Sequence, residues 1–129
     1  MIVLDTSALL DFLIGRPQKP RLLSRIAEDA DLHAPHLIDV EALHALGRLV
    51  RTGVVSPERA AEARADAGSL TITRYPLGAM ADRVWALRDN LSAYGASFVA
   101  LAEALAAPLV TCDRRLARVS RHYVDVEAF

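Results

Sequence analysis

Cysteine, lysine and aromatic residues are scarce in this sequence, and each scarcity removes a class of explanation. A single cysteine, Cys112, excludes an internal disulfide and fits a reducing compartment. Among the 15 basic residues only Lys19 is a lysine, so positive charge rests on arginine, whose planar fork suits phosphate. Aromatics make up 5% of the chain, too few for a surface of interleaved rings and cations. His33, His36, His44 and His122 are scattered, and with one cysteine they offer no cluster at zinc-ligand spacing. Long apolar runs are also missing. Asp5 and Asp11 interrupt the N-terminal stretch, which is neither a signal peptide nor a membrane span, so a cytoplasmic protein without a membrane partner is expected. A net charge of −1 gives no overall pull toward nucleic acid, and any such contact must come from local patches.

What is present suits one domain spanning residues 1–129, large enough for a single core. Hydrophobic residues reach 53%, although 23 of them are alanines that bury little area each. With mean hydropathy at +0.22, the chain has more apolar surface than its own core hides, and a homodimer through the "LHALGRLVRTG" and "SPERAAEA" segments is expected. "MIVL" reads as a buried parallel strand, and "DTSALLDFLI" as a helix ending at Gly15. "HLIDVEALHALGRLVRTG" closes on a basic turn and Gly53, while "SPERAAEARADAG" opens with Ser56 as cap and Pro57 behind it. "LGAMADRVWALRDNL" reads as one helix, "ASFVALAEALA" as another, "PLVT" as a strand, "DRRLARV" as a short helix and "YVDVEAF" as an edge strand. Strands alternating with helices predict a three-layer α/β/α sandwich on a mainly parallel sheet.

Two acids sit at equivalent places in this pattern. Asp5 ends "IVLD", and Asp113 follows "LVTC" and opens a helix. Either alone is an ordinary helix cap; if the two strands are neighbours, both carboxylates point into one crevice, where open parallel sheets bind ligands. Clustered carboxylates repel one another unless a divalent cation joins them, and hard oxygen ligands favour Mg²⁺ or Mn²⁺. "HLIDVEALHAL" offers a third acid, either Asp39 or Glu41, and periodicity does not choose between them.

Three blocks, "MIVLDTSALL", "LIDVEALHAL" and "SAYGASFVALAEALAAPLVTCDRRLA", resemble in order and spacing those of the PIN-domain family, most closely the VapC-type toxins of bacterial toxin–antitoxin modules. The resemblance spans essentially the whole chain. It implies a PIN-like fold, a Mg²⁺- or Mn²⁺-dependent endoribonuclease and a cognate VapB-type antitoxin lying in the active-site groove. By position it puts the catalytic, metal-holding acids on Asp5, Glu41 and Asp113, with Glu41 acting directly or through water, and supporting hydroxyls on Thr6 and Thr111. Where the family carries a further acid in a Tyr-Asp-Ala step, this chain reads Tyr94-Gly95-Ala96.

Gly95, taken as the residue that caps this helix, costs only about a few tenths of a kcal/mol there against aspartate. It supplies no carboxylate, so the fold is expected to stand while metal binding and activity are weakened. Arg114, Arg115 and Arg118 follow Asp113 and are expected to contact RNA, with Arg16 and Lys19 reaching the same rim. Tyr94 is the one aromatic well placed to stack on a base. No DNA-reading motif is visible, so any operator binding belongs to the partner. The competing reading is a non-catalytic PIN-like protein that binds antitoxin or RNA without cutting. A phosphoacceptor role for Asp5 ranks lower, because "LDTS" lacks a second aspartate and the sole lysine is Lys19.

Overall fold

The computed structural model describes residues 1–15, 19–29 and 31–129. Five strands form one parallel sheet: β1 (Ile2–Leu4), β2 (Leu32–Pro35), β3 (Ile72–Tyr75), β4 (Leu109–Thr111) and β5 (Val126–Ala128). Their spatial order is β3-β2-β1-β4-β5. The chain therefore moves outward from β1 in one direction, then returns to β4 on its other side. That reversal opens a crevice between β1 and β4 at their carboxyl ends. Register is fixed by Val3 opposite Leu109 and Leu4 opposite Val110, and the Asp5 N–H reaches the Val110 carbonyl at 3.0 Å.

The helices follow from local chemistry. Helix α1 (Thr6–Ile14) starts on Asp5, whose side chain accepts the Ser7 N–H, and stops at Gly15 in the left-handed region at φ 66°. Helix α2 is Pro20–Glu28, and α3 (Leu37–Arg51) carries Ile38, Ala42 and Leu46 inward. Helix α4 (Pro57–Ser69) has the expected Ser56 cap, its hydroxyl accepting the Arg59 N–H at 3.1 Å. Helices α1, α3 and α4 pack on one another, while α6 (Ala93–Leu105) lies across β1, β2 and β4. Seven consecutive residues of α6, Ala96 to Ala102, are buried, which explains a helix apolar on every side.

One expectation is corrected here. The segment read as a single helix over 77–91 is a 3₁₀ turn at Leu77–Met80, a short α5 (Ala81–Ala86) and then hydrogen-bonded turns. Leu87, Arg88 and Asn90 donate to carbonyls three residues back, and the Arg88 guanidinium also reaches the Trp85 carbonyl at 3.0 Å. These tight bonds end α5 and bring Ser92 round to cap α6. Helix α7 (Arg114–Ser120) connects β4 to β5. Among the described residues no helix is long and apolar enough to cross a membrane.

Candidate active site

Asp5, Glu41 and Asp113 line one cleft of about 390 Å³ at the carboxyl ends of β1 and β4, together with Tyr94, Gly95, Arg115 and Leu116. Each acid is delivered by a different element. Asp5 leaves β1 as the cap of α1, Asp113 leaves β4 as the cap of α7, and Glu41 comes from the second turn of α3. Asp39 points elsewhere: it is 51% exposed and takes both arms of Arg74, at 2.7 and 2.8 Å. That pairing separates two acids that helical periodicity alone could not.

A hydroxyl network holds the carboxylates. Thr6 donates to Glu41 Oε2 at 2.6 Å, and Thr111 donates to Asp5 Oδ2 at 2.7 Å. Thr111 also accepts the Asp113 N–H at 3.0 Å, so one side chain ties both strand-end acids together. Ser7, noticed in the sequence only as part of a helix start, sits at the centre. Its hydroxyl donates to Asp5 Oδ2 and accepts the Cys112 N–H at 2.9 Å, bridging α1 to the end of β4. The signal for it was its place two residues beyond Asp5, where a capped helix returns its side chain to the cap. Asp113 turns Oδ1 to the Arg115 and Leu116 N–H groups, at 2.8 and 3.1 Å.

Burial raises the Asp5 carboxyl above its ordinary range, against the lowering effect of the Ser7 and Thr111 hydrogen bonds. Glu41 is also raised, first by burial and further by the Asp5 charge, while the Thr6 hydroxyl opposes the shift. Among the described residues no cation offsets either group. Two carboxylates held together in this way fit a hard divalent cation. Among the described residues no three Asp, Glu, His or Cys side chains stand grouped closely enough to hold a metal ion by themselves. Such a site suits an ion that keeps several waters.

Gly95 lines the same cleft, but the assignment of it as the helix cap is corrected. Ser92 caps α6, its hydroxyl accepting the Gly95 N–H at 3.2 Å, so Gly95 is the third residue of the helix. A serine precedes Tyr94 by two positions, and its hydroxyl reaches the open N–H groups without help from residue 95. A Cβ built on Gly95 meets Leu116 Cδ1 at 3.0 Å, Ser92 Oγ at 3.7 Å and Leu91 Cδ2 at 3.8 Å.

Of the arginines expected at the rim, Arg115 lines the cleft; Arg114 and Arg118 are exposed on α7 outside it. Lys19 does not line the cleft; it pairs with Asp11 at 2.8 Å and donates to the Phe129 carbonyl at 3.2 Å. Arg16 lies outside the described residues. Cys112 does not line the cleft; burial raises its thiol, with the neighbouring Lys19 opposing the shift. A second groove of about 590 Å³ continues from the acids along α1 and α3, past Leu10, Leu37, Val40 and Ala45.

A parallel sheet with a strand-order switch at two acid-bearing strand ends defines a PIN-like α/β protein. The PIN domain profile matches residues 2–122, and this chain belongs to the PIN-domain family. It is 45% identical over 119 residues to the VapC ribonuclease Mb0985 of Mycobacterium bovis, covering 90% of this chain and 88% of that one. Ribonuclease VapC12 of Mycobacterium tuberculosis is 33% identical over 127 residues, 98% of each chain. In three dimensions the chain is similar to the crystal structure of PAE2754 from Pyrobaculum aerophilum, with a TM-score of 0.69 and 25% identity. That match covers 96% of this chain and 82% of the other.

Proposed function

We propose that this protein is an endoribonuclease toxin of the VapC type, with RNA as substrate and a VapB-type antitoxin as partner. The observation that carries the reading is the meeting of Asp5, Glu41 and Asp113 in one cleft, in a chain so similar to VapC ribonucleases. Asp5 and Asp113 would hold the cation, and Glu41 would hold it directly or through a water. A divalent ion, Mg²⁺ or Mn²⁺, supplies Lewis acidity toward the scissile phosphate when bound.

The remaining work belongs to the protein. Thr6, Ser7 and Thr111 hold Glu41 and Asp5 at fixed angles, so the cleft is ordered before RNA arrives. Glu41, held in place by the Thr6 hydroxyl, is positioned in the cleft to accept a proton from an attacking water. Arg115 lies where a phosphate enters and offsets its charge.

Gly95 leaves this site without a carboxylate that the family supplies, and we propose that the chain binds its cation weakly and cuts slowly. The groove along α1 and α3, with apolar walls beside His44 and Arg48 and continuous with the acids, suits an antitoxin segment. Leu43 on α3, outside that groove, is 55% exposed and supports a self-associating face on the same helix. Gly95 is also the observation favouring a second reading, a member that binds antitoxin or RNA without cleavage.

The deciding experiment compares cleavage of single-stranded RNA in Mg²⁺ or Mn²⁺ by this chain and by Gly95→Asp, with Asp113→Ala in the Gly95→Asp background as control. Cutting by Gly95→Asp that Asp113→Ala abolishes supports the nuclease. Binding of RNA without cutting by any variant supports the second reading.

A further inference from the structure

Tyr94 stands where three hollows meet. Its side chain lines the acid cleft, the groove along α1 and α3, and a third hollow of about 280 Å³. The third hollow is walled by Pro35, Leu37, Leu77 and Ala93, with His36 and Ser97 as its polar members. The tyrosine is the second residue of α6, next to Gly95, and is 61% exposed. The ring face is therefore accessible to a ligand entering the cleft. Leu77, which lines the same hollow, is 52% exposed.

The chemistry of the third hollow contrasts with that of the cleft beside it. Three carboxylates line the cleft, whereas none lines the hollow. The Ser97 hydroxyl is already committed to the Ala93 carbonyl at 2.7 Å. His36 precedes α3 and makes no side-chain cap, so its imidazole is left as the polar edge. A nucleotide chain has two parts that match this division. Its phosphate would meet any cation held by the acids, and its base presents a neutral, flat face to apolar walls and an aromatic ring.

We infer that Tyr94 and the hollow behind it form a base subsite: one unpaired base stacks on the Tyr94 ring while its adjoining phosphate lies over Asp5, Glu41 and Asp113. The inference rests on the ribonuclease reading and names its substrate class more closely. A base held in duplex RNA cannot reach the ring, so the substrate is single-stranded or looped. Stacking with a single imidazole edge gives modest preference among bases, so target choice depends on RNA shape as well.

The test measures anisotropy of a labelled mixed-sequence single-stranded octaribonucleotide, and of an abasic ribose-phosphate chain of equal length, in Mg²⁺. Tyr94→Ala and Leu77→Gln are expected to weaken the octaribonucleotide about tenfold each, with Tyr94→Phe close to the parent. None of the three is expected to change binding of the abasic chain. Equal weakening of both probes, or of neither, overturns the subsite. So does unchanged RNA affinity alongside weakened self-association or binding of an apolar helical peptide by Tyr94→Ala, because the hollow then seats protein. Cleavage separates this inference from its parent. If Gly95→Asp cuts RNA and Gly95→Asp with Tyr94→Ala cuts it at the same rate and positions, the subsite is wrong and the nuclease stands. If neither the parent chain nor Gly95→Asp binds or cuts RNA, the ribonuclease reading falls and the subsite with it.

Discussion

Replacing Gly95 with aspartate changes helix, packing and charge at once, and the structure allows each to be weighed. Gly95 is the third residue of α6 and has no left-handed backbone, so a side chain is tolerated there. Leaving glycine within a helix contributes about 0.5–1 kcal/mol, and an acid in the first turn adds about 0.3–1 kcal/mol against the helix dipole. Opposing this, the new Cβ lies 3.0 Å from Leu116 Cδ1, the movable end of a side chain that itself lines the cleft. Leu116 is buried in the core, so the few tenths of an ångström it must give offset part of the helix gain. The larger opposing effect is a further carboxylate beside Asp5 and Glu41, both already raised. Without cation these effects roughly cancel, and Tm should move little. With cation the repulsion becomes ligation. A tenfold gain in Mg²⁺ affinity adds about 1.4 kcal/mol at saturation, a shift of about 5 °C in a domain of this size. The assay is thermal unfolding of both proteins across a Mg²⁺ or Mn²⁺ titration. An equal cation-dependent rise in Tm for the two proteins would refute the placing of the missing ligand at residue 95.

The fold and two of the acids were legible because they depend on local signals. "IVLD" and "LVTCD" each join a buried strand to a helix cap, and that pattern put Asp5 and Asp113 at a shared crevice on the condition, met here, that β1 and β4 are neighbours. Glu41 was not separable from Asp39 by periodicity, since the choice rests on Arg74, 35 residues away, which takes Asp39. The same limit applied to Ser7. Its importance lies in bonds to Asp5 and to Cys112, and the second partner is 105 residues along the chain. Lys19 misled for a related reason. Charge and position suggested the rim, but Asp11 and the Phe129 carbonyl hold it elsewhere. Gly95 was misplaced by one helical turn because a serine and a glycine both make acceptable caps. The hydrogen bond that decides between them is visible only in three dimensions.

Ser7→Ala should destabilise the protein by about 1–3 kcal/mol in urea unfolding, because it leaves the buried end of β4 without an acceptor for the Cys112 N–H. A change of only a few tenths would show that water replaces the hydroxyl. Arg25→Ala should cost about 1–2 kcal/mol, measured in the same way, since it removes the two-armed bond to Glu127 at 2.7 and 3.0 Å that fastens β5 to α2. No loss in low salt would refute that anchoring. Asp5→Asn should abolish cleavage yet stabilise the cation-free protein by about 1 kcal/mol at neutral pH, because asparagine still caps α1 and carries no buried charge. Its sign can be checked against pH. Burial raises Asp5 above 3.8, and burial with the Asp5 charge raises Glu41 above 4.5, so over that window the folded state binds more protons than the unfolded chain. Stability from these groups is therefore fully present below the ordinary values and falls as pH rises through the raised ones. The stability difference between Asp5→Asn and the parent should grow with pH across this range without cation. In excess Mg²⁺ it should shrink or reverse, because the ion stabilises the ionised pair. A difference that stays constant with pH in cation-free buffer would mean that Asp5 is not the buried charge that strains this fold.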